Sequence, residues 1–222
     1  MYRRGNPMNF TRKEIIPWSI LVMVSLAFIP AVSANMLENP SFETIGPIGS
    51  PTSFTGIGNG GSPKYSAAQD WLVWNNTFGT TTTELLPSTL LGGGAQMIHV
   101  TTDGDVSGLF QAFLPSPTGP NDVIGSIWIY VISGQVGFGT GDDGNTNFDK
   151  LTSGTGHWEF LQAPNGISPA NEFIIYSVHG QAEFYAENAS VAPHAPEPTT
   201  MLLLGSGLIG LAGYGRKKFF KK

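Results

Sequence analysis

The chain has 222 residues, among them 29 glycines, 16 prolines and no cysteine, and carries a formal net charge of −5. The missing cysteine excludes thiol catalysis, disulfide frameworks and iron–sulfur centres. The overall charge hides an asymmetry: between Asn35 and Ala195, 14 carboxylates stand against Lys64 and Lys150 alone, near −12, which argues against a phosphate backbone as partner and leaves divalent cations and neutral polymers such as polysaccharides.

At the N-terminus, Arg3, Arg4, Arg12 and Lys13 precede an apolar run from Ile15 to Ile29 that is interrupted by Pro17 and Ser19. Pro30-Ala31-Val32-Ser33-Ala34 follows. A basic start, an apolar run and a small-residue end predict a signal peptide over 1–34, cut by signal peptidase between Ala34 and Asn35. The alternative is an uncleaved signal anchor, against which the helix-breaking Pro30 and the small residues behind it speak. The adjacent arginines lack the rest of a twin-arginine pattern, so general secretion is expected.

Residues 35–192 then make one domain, long enough for a substantial core. Short runs of Val, Ile, Phe, Tyr and Trp recur between turn residues, and no long segment has apolar residues at helical spacing, a pattern that predicts an all-β sandwich of eight to ten strands. The expected strands begin with Asn35 to Phe42. Gly46 to Lys64 reads as a loop, Asp70 to Thr77 as a strand and Thr80 to Leu86 as an edge strand. Gln96 to Thr101 and Gly108 to Leu114 read as a pair joined at Asp103-Gly104-Asp105. Val123 to Ser133, apolar on both faces, reads as a central strand. Gln135 to Phe138, His157 to Leu161, Glu172 to Val178 and Gln181 to Val191 complete the set, with His179-Gly180 as a last hairpin turn.

Three stretches resemble galactose-binding-like jelly rolls, a group that includes carbohydrate-binding modules. Asn39-Pro40-Ser41-Phe42-Glu43 is similar to their first strand, Gly108 to Phe113 to an inner strand with a buried Gln111, and Ala182 to Val191 to their last strand. The resemblance implies a jelly-roll β-sandwich. It also implies a structural calcium held by the glutamate after Phe42 and by an acidic pair of the last strand. Glu43 matches; Glu187 and Asn188 stand where the acidic pair is expected. A second calcium candidate is the run Gly141 to Asp149, whose Asp142, Asp143 and Asp149 offer hard oxygen ligands without the spacing of an EF-hand; a solvated loop is the alternative there.

For sugar binding, Trp71, Trp74, Trp128, Tyr130 and Trp158 are the available platforms, with Trp71, Trp74 and Trp158 as the candidate site residues, since an aromatic face can stack on a pyranose ring. Large aromatics usually bury, and Trp128, inside the most apolar strand, is assigned to the core. Trp74 precedes Asn75 and Asn76 and is the better candidate for exposure. No Gly-x-Ser-x-Gly or His-Glu-x-x-His array occurs, and His99, His157, His179 and His194 are scattered, so the domain reads as non-catalytic. The Gly-x-Gly-x-x-Gly strings at Gly56 and Gly205 lack the strand–turn–helix context of a dinucleotide site.

The tail carries the most specific signal. After a Pro-rich spacer at 193–200 comes an uncharged apolar run at 201–215, then a basic end at 216–222. As a helix, the run spans roughly 22 Å, short of a ~30 Å hydrocarbon core, yet able to insert if the bilayer thins and the lysines snorkel. The basic end predicts a cytoplasmic C-terminus with everything before Pro196 outside. Pro196-Glu197-Pro198, the glycine-rich helix and Arg216-Lys217-Lys218 together resemble the PEP-CTERM sorting signal of exported bacterial proteins. That resemblance implies a membrane protease of the exosortase type as partner, cleavage near the motif, and delivery to the cell envelope or matrix, where the sandwich serves as a structural or binding protein. An ordinary C-terminal anchor is the alternative, and a carbohydrate-binding module recognising an exopolysaccharide is the second functional reading.

Overall fold

The computed structural model describes residues 35–57, 64–75, 78–113, 123–140, 148–164, 171–193 and 205–209. Twelve strands lie among them: β1 (Thr52–Ile57), β2 (Lys64–Tyr65), β3 (Leu72–Asn75), β4 (Phe78–Pro87), β5 (Gln96–Thr102), β6 (Ser107–Ala112), β7 (Val123–Ser133), β8 (Val136–Gly139), β9 (Lys150–Leu151), β10 (Trp158–Pro164), β11 (Glu172–Ser177) and β12 (Ala182–Pro193). Hydrogen-bonded ladders order them into two antiparallel sheets, β1-β4-β5-β12-β7-β10 and β2-β3-β6-β11-β8-β9. The fold is an all-β jelly-roll sandwich. Ser33–His194 forms one compact unit, and the described part of the second unit is a helical turn at 205–209. No helix among the described residues is long and apolar enough to cross a membrane. The signal region 1–34, with Ala34, and the motif residues Pro196, Glu197, Pro198, Arg216, Lys217 and Lys218 lie outside the described residues.

Period-two alternation builds the core. In β7, Ile127, Ile129 and Val131 point inward and are at most 1% exposed; Ile98 and Val100 of β5 and Phe184 and Ala186 of β12 flank them. They meet Trp71, Val73, Leu109, Phe138, Phe173 and Ile175 of the facing side. Burying each large side chain is worth about 1.5–3 kcal/mol, and the sandwich holds without a disulfide. The second sheet carries a further apolar cluster on its other face, made of Trp74, Val106, Phe110, Ile174 and Tyr176.

Several sequence expectations change. Residues 35–42 form no strand. Asn39 and Phe42 adopt left-handed backbone (φ 44° and 59°), which turns the chain; two isolated backbone bonds to β12, Met36 N to Val191 O and Ala189 N to Pro40 O (both 2.8 Å), and several side chains hold the segment. The Asn35 carboxamide accepts from Val191 N at 2.9 Å and donates to Ala189 O at 3.0 Å. Buried Gln111 accepts from Glu38 N at 2.8 Å and donates to Glu38 O and Asp70 O, both at 2.9 Å. The 46–64 stretch is not all loop: β1 lies within it and pairs with β4, reinforced by hydroxyl contacts between Thr52 and Thr83 (2.7 Å) and Thr55 and Thr80 (3.2 Å). That pairing removes β4 from the edge.

β5 and β6 are no hairpin, nor are β11 and β12; each pair crosses from one sheet to the other. Val106 and His179 supply the left-handed corners (φ 48° and 62°). The two crossings brace one another: Ser177 Oγ donates to Gly104 O at 2.8 Å and accepts from Ser107 N at 3.2 Å, and Gly180 N donates to Asp105 Oδ1 at 3.1 Å. β7 has the expected bounds but is not buried on both faces. Its residues alternate between buried and half-buried, with Trp128 and Tyr130 pointing out.

Candidate functional site

The outward face of the first sheet gathers aromatic side chains from strands remote in sequence. Ladder register puts Glu84 of β4, His99 of β5, Tyr185 of β12, Tyr130 of β7 and Trp158 of β10 in one row across the sheet. Trp128 and Phe160 stand opposite one another one step along. The rings touch in sequence: His99 to Tyr185 at 4.9 Å, Tyr185 to Tyr130 at 5.9 Å and Tyr130 to Trp158 at 5.8 Å between centroids, with Trp128 and Phe160 at 5.1 Å. Interplanar angles of 42–66° make a faceted shelf rather than a flat one. Phe160 is 44% exposed and the other rings are half-buried. The rings cover part of one another and leave their outer edges and faces to water, a surface on which a further flat apolar group could stack. Its polar end is the pair His99 Nε2 and Glu183 Oε1, 3.0 Å apart.

Of the expected platforms, Tyr130 and Trp158 belong to this shelf, whereas Trp71 and Trp74 do not. Trp71 is fully buried, donates its indole N–H to Asn39 O at 3.0 Å and packs against Phe42 and Phe173. Trp74 is buried against Tyr176 at 5.6 Å. Neither ring has a face free for a sugar, because the second sheet buries both of its sides. Trp128 reverses the other way: expected in the core, it lies outward. Phe160 and Tyr185 escaped the sequence reading, although Trp158, Phe160 and Gln162 alternate with period two, as do Glu183 and Tyr185.

The structure also brings Glu43 and Glu187 together. Glu187 shares the outward-facing set of β12 with Tyr185, yet it is fully buried because the loop between β4 and β5 folds over it. Ser88 Oγ and Gly94 N donate to its two oxygens. Glu43, exposed, accepts from Ala95 N at 2.6 Å and Gln96 N at 3.2 Å. A Cβ on Gly93 or Gly94 would collide with these carboxylate oxygens, so the loop approaches so closely only because it is glycine. Among the described residues neither carboxylate pairs with a basic side chain, and no third His, Cys, Asp or Glu joins them. Asn188 lies in the bulge after Glu187 and has left-handed backbone (φ 52°). In the second candidate run, Asp142 and Asp143 lie outside the described residues, while Asp149 Oδ2 accepts from Thr140 N at 2.8 Å and Thr140 Oγ1 at 2.7 Å, joining the two ends of that run.

Sequence comparison decides one matter. Residues 194–217 match the PEP-CTERM protein-sorting motif. The PEP-CTERM match includes Pro196, Glu197, Pro198, Arg216 and Lys217 and stops before Lys218. No curated protein matches the chain. Among solved structures, the sandwich is similar to the tandem CBM22-1–CBM22-2 domain of Paenibacillus barcinonensis Xyn10C, at 14% identity and TM-score 0.46, covering 75% of this chain and 47% of that one. This chain thus spans about half of that tandem; against the single CBM22-1 xylan-binding domain it covers 97%, with 67% of this chain, 13% identity and TM-score 0.41. The family 11 carbohydrate-binding module of Clostridium thermocellum gives 10% identity, TM-score 0.39, and 64% and 96% coverage. An enzymatically active domain of bacteriophage CBA120 tailspike protein 4 matches too, at 11% identity and TM-score 0.40, over 72% of this chain and 21% of that one. The likeness is one of fold.

Proposed function

We propose that this PEP-CTERM chain is an exported envelope or matrix protein whose sandwich binds a polysaccharide without cleaving it. The observation that carries this reading is the outward-facing shelf of exposed Phe160 and half-buried Trp128, Tyr130, Trp158 and Tyr185. Stacked rings and a few flanking hydrogen-bonding groups are what a sugar polymer in water can use. A purely structural sandwich would gain from polar residues there, as on the hydroxyl-bearing β1–β4 side of the same sheet. Export follows from the predicted signal peptide and the sorting motif: signal peptidase would cut after Ala34, and an exosortase-type protease would act near Pro196-Glu197-Pro198.

Calcium belongs to the same proposal. Two converging carboxylates, one buried and neither paired with a basic group, suit a hard cation, which would also draw on carbonyl or water oxygens. Glu43 and Glu187 would hold it and thereby tie the β4–β5 loop and the chain entry to the last strand. Calcium should raise the melting temperature of the full chain and a chelator should lower it, since a ligand of the native state must stabilise. A melting curve unmoved by either would remove calcium from the picture.

The binding reading is tested by affinity electrophoresis of the full-length protein in gels containing polysaccharides from the host's own matrix. Retardation that the double variant Trp128→Ala/Phe160→Ala abolishes, with the melting temperature kept, is the expected result. Unchanged retardation in that variant would move the site elsewhere. Intact-mass measurement of protein recovered from the host reads processing: loss of residues 1–34 and of the tail after the motif is expected, and full-length material with both termini would overturn export.

A further inference from the structure

The first sheet is free of cations. None of its six strands contains Lys or Arg; the two lysines of the domain sit in the other sheet, Lys64 in β2 and Lys150 in β9. The shelf nevertheless has a charged end, because its row passes from Trp158 on β10 through Tyr130 and Tyr185 to His99 and Glu84. Glu183 stands beside His99 at 3.0 Å, with its side chain 36% exposed. The apolar end can stack on any pyranose face, because stacking is indifferent to hydroxyl stereochemistry. The polar end consists of hydrogen-bond acceptors on carboxylates plus one imidazole, and carboxylates accept from sugar hydroxyls while repelling other carboxylates.

Resting on the polysaccharide reading, we infer that the ligand is an uncharged glycan, and that Glu84, His99 and Glu183 set this selectivity by reading its hydroxyls. A uronate or sulfate polymer would bring negative charge against Glu84 and Glu183 with no lysine or arginine on the sheet to neutralise it. It would also approach a domain near −12 between Asn35 and Ala195. Both terms act against anionic ligands and leave neutral ones untouched, so the discrimination comes from repulsion of the wrong polymer as much as from contacts to the right one.

The test uses the full-length chain in a zwitterionic detergent without a sugar headgroup, titrated against polymers matched in backbone and differing in charge. Suitable pairs are hydroxyethylcellulose and carboxymethylcellulose, linear xylan and glucuronate-substituted xylan, and methyl-esterified and free polygalacturonate. At least one neutral member should bind about tenfold or more tightly than its anionic partner at low salt. Raising the salt should narrow the gap by strengthening the anionic arm, because exposed charges are screened. Glu84→Gln/Glu183→Gln should narrow the gap in the same way while keeping the melting temperature, whereas Trp158→Ala should weaken the neutral polymer and leave the salt dependence of the anionic arm in place. Equal or tighter binding of the anionic members overturns the selectivity and leaves the polysaccharide reading standing. Binding to no polymer, host matrix polysaccharide included, overturns both.

Discussion

The two sheets carry similar aromatic complements on their outward sides and put them to opposite uses. On the second sheet Trp74 and Tyr176, 5.6 Å apart, are buried with Phe110, Ile174 and Val106 into a second small core. On the first sheet Trp128 and Phe160, 5.1 Å apart, form the same kind of pair but keep one side in water. Residue type does not separate the pairs, and neither does local pattern, since each Trp sits in a strand at an alternating position. What separates them is whether other chain covers that side of the sheet. An aromatic pair that is covered contributes to stability; one left uncovered is available to a ligand.

This difference can be broken by truncation. Trp71→Ala should cost about 4 kcal/mol, because a fully buried indole is lost and Asn39 O keeps only its bond from Phe42 N; urea denaturation of the detergent-solubilised chain measures it, and a loss under 1 kcal/mol would contradict its place in the core. Trp74→Ala should follow at about 3 kcal/mol. If Trp74→Ala instead weakened glycan retention and spared stability, the assignment of the two sheets would be reversed. Gly94→Ala should come next, near 2 kcal/mol, since its new methyl group collides with the Glu43 carboxylate, which must swing away and give up its bonds from Ala95 N and Gln96 N; it should also erase any calcium-dependent rise in melting temperature.

Smaller effects sharpen the contrast. Thr83→Val removes the acceptor for Ala67 N (2.8 Å) and the contact with Thr52, and should cost about 1–2 kcal/mol with no effect on ligand retention. Trp128→Ala should change stability by about 1 kcal/mol or less, since a half-buried ring recovers little of the area term, while lowering retention strongly. Phe160→Ala should be nearest to neutral in stability. A large destabilisation by either would show that the shelf is core after all.

How much was readable beforehand follows the same division. Short β-branched and aromatic runs between turns are local features, so the class and most strand positions could be read directly. The N-terminal segment misled because the run from Asn35 to Phe42 looks like a first strand, yet Leu37 N and Glu38 N bond to the Asn35 and Gln111 side chains and only Met36 N and Pro40 O reach the backbone of β12. The hairpins at Asp103 to Asp105 and His179-Gly180 misled because a short turn between two strands does not say whether they stay in one sheet. The pairing of Glu43 with Glu187 was suggested by resemblance, and the geometry brings the two together. The cover over Glu187 could not be foreseen, because Ser88 and Gly94 enter from an unrelated loop.

The amino-acid sequence by itself determined the sorting motif at the C-terminal end, the acidic cysteine-free middle and the β character, because charge, hydropathy and period-two alternation are properties of neighbours along the chain. Tertiary structure alone decided which tryptophans face water, which carboxylates meet and which strands cross between sheets. Those outcomes depend on what lies above each sheet face, and in a sandwich the residues that supply or withhold that cover come from segments far away in sequence.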